Sequence, residues 1–242
     1  MQRRELLKCS AALALLAQPL CRVVRAQSLP AEVAGVRLPN SILAQRAAAF
    51  AREHCPDYLF NHCMRTYLFG ALLLQREPRS YRADEAFVAA AFHDLGLLPA
   101  FETSGRPFEI DGADAAERWV REQGGSTQEA DRVWFAVELH DAYRALSRHQ
   151  GPEAMLVALG AGADVDGPPA GVLEARQVTE VLTAFPRLNF KKRFTELLVK
   201  HCERKPDSQE GTWLEGLCQA HGAQPLPRDA VEREIASAPF AD

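Results

Sequence analysis

The chain has 242 residues, 47% of them hydrophobic and 25% charged, with a formal net charge of -4. This is an ordinary globular composition, long enough for one domain with a sizeable core. No basic stripe or aromatic-interleaved Lys/Arg cluster breaks the pattern, which argues against a nucleic-acid partner.

The chain opens MQRRELLKCSAALALLAQPLCRVVRAQ, a basic start, a short apolar run over residues 9–17 and a polar stretch ending in VRA. That three-part layout is the one export signals use, with cleavage expected after Ala26. Arg3 and Arg4, followed by ELLK, resemble the twin-arginine export motif. Residues 1–26 are therefore expected to be a signal read by export machinery, and the mature protein to be exported and periplasmic. The apolar run is too short to span a bilayer, which takes about 20 residues. Cleavage would remove Arg3, Arg4, Lys8, Arg22 and Arg25 against one acid, Glu5, leaving a more acidic protein with no attraction for anionic membranes. Cys55, Cys63, Cys202 and Cys218 remain. None has C-x-x-C spacing; an oxidising compartment permits disulfides, whose connectivity the sequence does not give, and buried free thiols are the first expectation.

Residues 27–40 read as an extended lead-in. Helical periodicity then dominates. SILAQRAAAFAREH starts at an N-cap, Ser41, and stops before Pro56. DYLFNHCMRTYLFGALLLQRE carries Leu59, Cys63, Tyr67, Ala71 and Leu74 at spacings of three and four. DEAFVAAAFHD is short and very apolar, as a central helix should be. DGADAAERWVREQ has Asp111 as its expected N-cap. STQEADRVWFAVELHDAY opens on Ser126 with Glu129 three residues on, a capping-box pattern. PEAMLVALGAGADV is opened by Pro152. Beyond VDGPPAG come EARQVTEVLTAF, NFKKRFTELLVKHCERK, EGTWLEGLCQAHG and RDAVEREIASA. No stretch alternates with a period of two, so the fold class is all-α, in one mature domain. Residues 205–242 are more polar and are expected to be a peripheral helical segment.

Four places put metal-type ligands on apolar helices: His62 in NHCMRTYLFG, His93 and Asp94 in AAFHDLGL, His140 in WFAVELHD, and Asp164 in LGAGADVDG. Ionisable groups avoid such surroundings unless paired or bound to a metal. Imidazole and carboxylate suit Zn²⁺, Fe²⁺, Mn²⁺ or Ni²⁺, provided the helices converge. His62 shares a helical face with Thr66 and Phe69, so it points inward.

The order His62, His93-Asp94, Asp164 resembles the metal-binding signature of the HD-domain hydrolase superfamily. NHCMRTYLFG, AAFHDLGL, RPFEIDGADAAERWV, VWFAVELHD and HQGPEAMLVALGAGADVDG are similar, in order, to segments of its cyanamide hydratase-like branch. The likeness runs from about residue 39 to 167, with a weaker echo at FPRLNFKKRF. It implies an HD-domain helical bundle over residues 41–204. One divalent metal would be held by His62, His93, Asp94 and Asp164, with zinc the first choice and iron, manganese or nickel the alternatives. It further implies a small-molecule substrate and a pocket lined from the FEIDGAD and ELHD segments. In the branch's reaction, water adds across a nitrile, cyanamide, to give urea. A bound cation brings the pKa of water to about 7. His140 is the candidate for proton transfer, because imidazole exchanges protons near neutrality. Asp94, Glu109 and Asp111 are candidates for catalytic, supporting or substrate contacts, with an N-cap as the alternative for Asp111 and a solvated loop acid as the alternative for Glu109. Asn61 could position a ligand or cap locally, and Arg65 could bind an anion or pair with a carboxylate. His149 matches the family, while His54, His201 and His221 fall in no motif. At one position this chain departs from the family: Asp141 stands where the branch has Thr.

Three functions follow as expectations. The first is a metal-dependent hydratase or hydrolase acting on a small neutral molecule. The second is a phosphohydrolase, which should show a basic clamp beside the metal. The third is a non-catalytic exported metal-binding module, with a closed coordination shell. A homo-oligomer is left open.

Overall fold

The first helix begins where the sequence supplies its cap. Ser41 Oγ accepts a hydrogen bond from the Ala44 amide at 3.0 Å, and α1 (Ile42–His54) follows. The computed structural model describes residues 29–76, 79–142, 144–209 and 211–221. The expected export signal and the expected helix at RDAVEREIASA lie outside the described residues. Among those described, the chain is mainly helical: α2 (Asp57–Leu74), α3 (Ala83–Phe92), a 3-10 turn (Leu95–Leu97), α4 (Phe108–Glu122), α5 (Thr127–Glu138), α6 (Arg144–Gln150), α7 (Pro152–Val165), α8 (Ala175–Ala184), α9 (Phe190–Arg204) and α10 (Glu215–His221). No described helix is long and apolar enough to cross a membrane.

Three differences from the sequence reading have physical causes. The lead-in is a small antiparallel hairpin, β1 (Glu32–Val33) and β2 (Val36–Arg37), pairing Val33 with Val36. Its turn residues, Ala34 and Gly35, both have positive φ, as a tight hairpin turn requires. Strands of two residues are too short to show a period. Helix α4 begins at Phe108, with Pro107 at the N-cap, because proline presets the entry and Phe108 is buried. Asp111 therefore lies in the first turn rather than capping it. Helix α5 stops at Glu138, and its Ser126 capping box is formed; His140 is thus held on the segment between α5 and α6.

Of the two readings of the cysteines, each holds for one pair. Cys55 and Cys63 are buried and free, but Cys202 and Cys218 form a disulfide across a separation of 16 residues. That bond ties α9 to α10. Leu214 and Gln209 are buried, and Lys205 Nζ donates to Asp111 Oδ2 at 2.7 Å, so these residues anchor the segment after α9 to the body of the domain.

Helix α3 is the central element, buried at every position from Glu85 to Phe92. Helix α2 lies along α7 with their backbones close together. A Cβ on Gly160 would fall 1.9 Å from the Thr66 carbonyl oxygen, and one on Gly70 would fall 2.1 Å from that of Leu156. Only glycine fits at either place, and this closeness lets His62 on α2 meet Asp164 on α7. Gly160→Ala tests it. Alanine favours a helix by about 1 kcal/mol, but backbone overpacking costs about 3 kcal/mol. The expected net loss is about 2 kcal/mol by urea denaturation, and a neutral or stabilised variant would contradict the close approach.

Candidate metal centre

His93 and Asp94 leave the end of α3, where the helix gives way to the 3-10 turn. His62 faces them from the middle of α2. His93 Nε2 lies 3.2 Å from His62 Nε2. Asp94 Oδ2 lies 3.3 Å from each of the two nitrogens. All three residues are essentially inaccessible to solvent. The three atoms form a near-equilateral triangle.

The tautomers follow from the partners behind the rings. His93 Nδ1 faces the Ala90 carbonyl at 2.8 Å, and His62 Nδ1 faces Asp164 Oδ2 at 2.7 Å. Carbonyl and carboxylate oxygens only accept, so each Nδ1 donates and each neutral ring turns a lone pair at Nε2 toward the other. Asp94 Oδ2, buried between them, has no hydrogen-bond partner. Two lone pairs and an orphaned carboxylate oxygen repel unless a cation sits among them. The spacing fits one: bonds of about 2.1 Å give donor separations of about 3.4 Å in a tetrahedron and about 3.0 Å in an octahedron. Among the described residues, this is the group of three His, Cys or carboxylate side chains placed to hold a metal ion.

The electrostatics agree. Burial opposes charge on His62, but Asp164 and Asp94 outweigh it and raise that imidazole's pKa. Burial lowers that of His93. Burial alone would raise Asp94, yet the two imidazoles, when a proton takes the place between the donors, hold it well below the usual carboxylate range. The cluster as a whole attracts positive charge, as a proton or as a metal.

The remaining expected site residues divide. His140 comes to the centre: its Nδ1 faces the Val137 carbonyl at 2.6 Å, leaving Nε2 at 3.8 Å from Asp94 Oδ1. Asp164 is not brought into the triangle. Its carboxylate accepts from Arg65 Nε at 2.8 Å and Arg65 Nη2 at 2.7 Å, from Arg187 at 2.7 Å, and from His62 Nδ1. Burial would raise its pKa, but His62 and Arg65 bring it below the ordinary range. The structure thus sets Asp164 behind His62, orienting the ring instead of sharing a ligand position as the resemblance implied. Arg65 pairs with this carboxylate and leaves no anion site. Asp111 is drawn away from the centre, since Thr103 and Lys205 satisfy both its oxygens. Asn61 donates to the Pro186 carbonyl, His149 is exposed, and His201 pairs with Glu102.

The triangle opens into a cleft of about 150 Å³ that also touches Phe108, His140, Asp141, Phe194 and Trp213. Beside it, sharing Asp141, Ala142 and Trp213, lies a second cleft of about 670 Å³ reaching Glu109. Sequence reasoning missed Trp213 and Arg187. Neither carries a ligand type, and both lie after the last strong motif. The only available signal was the weak echo at FPRLNFKKRF, which contains Arg187.

Glu109 is buried, and neither of its oxygens has a hydrogen-bond partner. Burial first, then the facing Asp141 and the more distant Asp94, push its carboxyl up to about 10. An unfolded glutamate loses its proton near 4.3. Between these values the folded chain holds a proton that the unfolded chain releases, so stability falls as pH rises through that window. Glu109→Gln is expected to remove this penalty. Its melting temperature should exceed that of the parent at pH 8 and match it near pH 4; equal melting temperatures at pH 8 would contradict the buried, uncompensated carboxyl.

No protein-family model matches the chain, and no curated protein matches it either.

Proposed function

We propose that the protein is a metal-dependent hydratase or hydrolase of HD-domain type, acting on a small molecule beside the His62–His93–Asp94 triangle. The observation that carries the reading is the convergence of two imidazole lone pairs and an orphaned carboxylate oxygen at the floor of an open cleft. A buried structural metal site is normally closed by a fourth protein ligand; this one faces a cleft with His140 beside it. When bound, a divalent cation, zinc being the first choice, supplies the charge that acidifies water and polarises an unsaturated bond. The chain's own groups do the rest. His140 Nε2 is placed to take or give a proton at the edge of the triangle. Phe108 and Phe194 narrow the cleft and limit water. Asp164, held by Arg65 and Arg187, fixes the His62 ring.

The family reading rests on the five ordered sequence segments, and the export proposal on the N-terminal layout. Cyanamide, hydrated to urea, remains the first substrate to try. A phosphohydrolase would need a basic clamp, and among the described residues no Lys or Arg lines either cleft. The test is to purify the protein, assay its metal, and screen small nitriles, amides and phosphate esters. Turnover of a nitrile or amide supports the reading. Turnover of phosphate esters alone would replace it with the phosphohydrolase, and metal without turnover of any class would favour a binding module.

A further inference from the structure

The second cleft holds charge that the metal centre does not explain. Glu109, from the first turn of α4, and Asp141, just after His140, both line it. Glu109 is 4% exposed. Both of its oxygens, and Asp141 Oδ2, are buried without a hydrogen-bond partner. Glu138 lines the same cleft, and Asp94, Asp141 and Asp166 line the adjoining one. Among the described residues no lysine or arginine side chain lines either. A buried carboxyl group without a donor is costly, and placing others near it makes it more so. Glu109 and Asp141 face each other and can share one proton, which still leaves a negative charge with no basic side chain lining the cleft; a ligand that suits the pair brings hydrogen-bond donors and positive charge.

An inorganic cation fits poorly. Hard cations take six or more oxygens, or several retained waters, and the only three-ligand group among the described residues is the His62–His93–Asp94 triangle. An organic cation fits better. The cleft has the size of a small-molecule site. Its outer wall carries Leu146 and Trp213, each 52% exposed, with Ile110 beside them. An apolar body could rest on that wall, and a planar cation could stack on the indole. A planar amidinium or guanidinium donates two parallel hydrogen bonds, which is the geometry a carboxylate accepts best.

We propose that Glu109 and Asp141 bind the amidinium- or guanidinium-type head of an organic cation, holding it next to the metal centre as the substrate's recognition element. As a statement about substrate this rests on the metal-dependent reading above, but the binding site stands on its own residues. Asp141 thereby gains a function, because the carboxylate that replaces the branch's Thr is one of the two that grip the cation.

The test uses three ligands of nearly one shape, benzamidinium, benzamide and benzoate, titrated into the full chain and followed by ligand-observed NMR. The expected order is benzamidinium first, benzamide weaker and benzoate undetectable. Glu109→Gln and Asp141→Asn should each weaken benzamidinium binding about tenfold or more, with unchanged circular dichroism. Metal content should stay at the parental level in both, and His93→Ala should lose metal yet still bind benzamidinium. Persistence of benzamidinium binding without any metal in the parent would defeat the enzyme reading alone. Equal binding of the three ligands, preference for benzoate, binding unaffected by both substitutions, or displacement of benzamidinium by Mg²⁺ at these carboxylates would each overturn the proposal.

Discussion

His93→Ala is expected to lose the bound metal and the activity together while keeping the fold. The substitution removes one corner of the triangle and leaves His62 and Asp94, a two-donor set. Even outer partners of metal ligands typically govern affinity by about 10–100-fold, so loss of a direct ligand should exceed about 100-fold. Turnover of any accepted substrate should fall about a thousandfold, if a bound cation supplies about 4 kcal/mol of transition-state stabilisation. Folding should survive, because outside the triangle the ring's hydrogen bond goes only to the Ala90 carbonyl of its own helix end, and its remaining packing is against the His140 ring. Metal analysis, kinetics and circular dichroism on one preparation check all three statements. A variant that keeps one equivalent of metal at parental affinity would show that His93 is not a ligand.

The second large effect belongs to Arg65, whose side chain is wholly buried. Its guanidinium donates twice to Asp164 and also to the Phe185 and Pro186 carbonyls. Arg65→Met keeps most of the volume but leaves a buried carboxylate held by Arg187 and His62 alone. Breaking one partner from a buried pair costs about 3–5 kcal/mol, whereas removing both charges costs far less. The single variant should therefore lose about 3–5 kcal/mol in urea denaturation. Arg65→Met combined with Asp164→Leu should recover part of that loss, though with weaker metal binding, because His62 is no longer oriented from behind. A single variant within 1 kcal/mol of the parent would contradict the role given to this network.

Much of the fold was legible because its signals are local. Ser41 and Ser126 announce helix starts through a short polar side chain, and the apolar run of α3 announces a buried helix. The triangle was legible in part. His62, His93 and Asp94 stood out as ionisable groups within apolar helices, and His140 as a fourth. The separation of Asp164 from the triangle was not legible, because it depends on Arg65 and Arg187, which saturate its oxygens from α2 and from the loop before α9. Nor could the sequence show that Asp111 would be claimed by Lys205, 94 residues away, or that Cys202 would find Cys218. Pairings of this kind arise from how α9 and α10 return to the body of the domain. Glu109 was singled out for its motif. Its burial against Asp141, with no basic side chain lining the cleft, is a property of the cleft alone.

The proposed activity depends on whether a divalent cation belongs among His62, His93 and Asp94. The most direct measurement is anomalous diffraction from crystals of the purified protein, at the absorption edge of whichever metal elemental analysis finds. The expected result is one peak per chain, about 2.0–2.2 Å from His62 Nε2, His93 Nε2 and Asp94 Oδ2. A protein reconstituted with zinc, iron, manganese and nickel that shows no peak there, or a peak ligated by other residues, would contradict it.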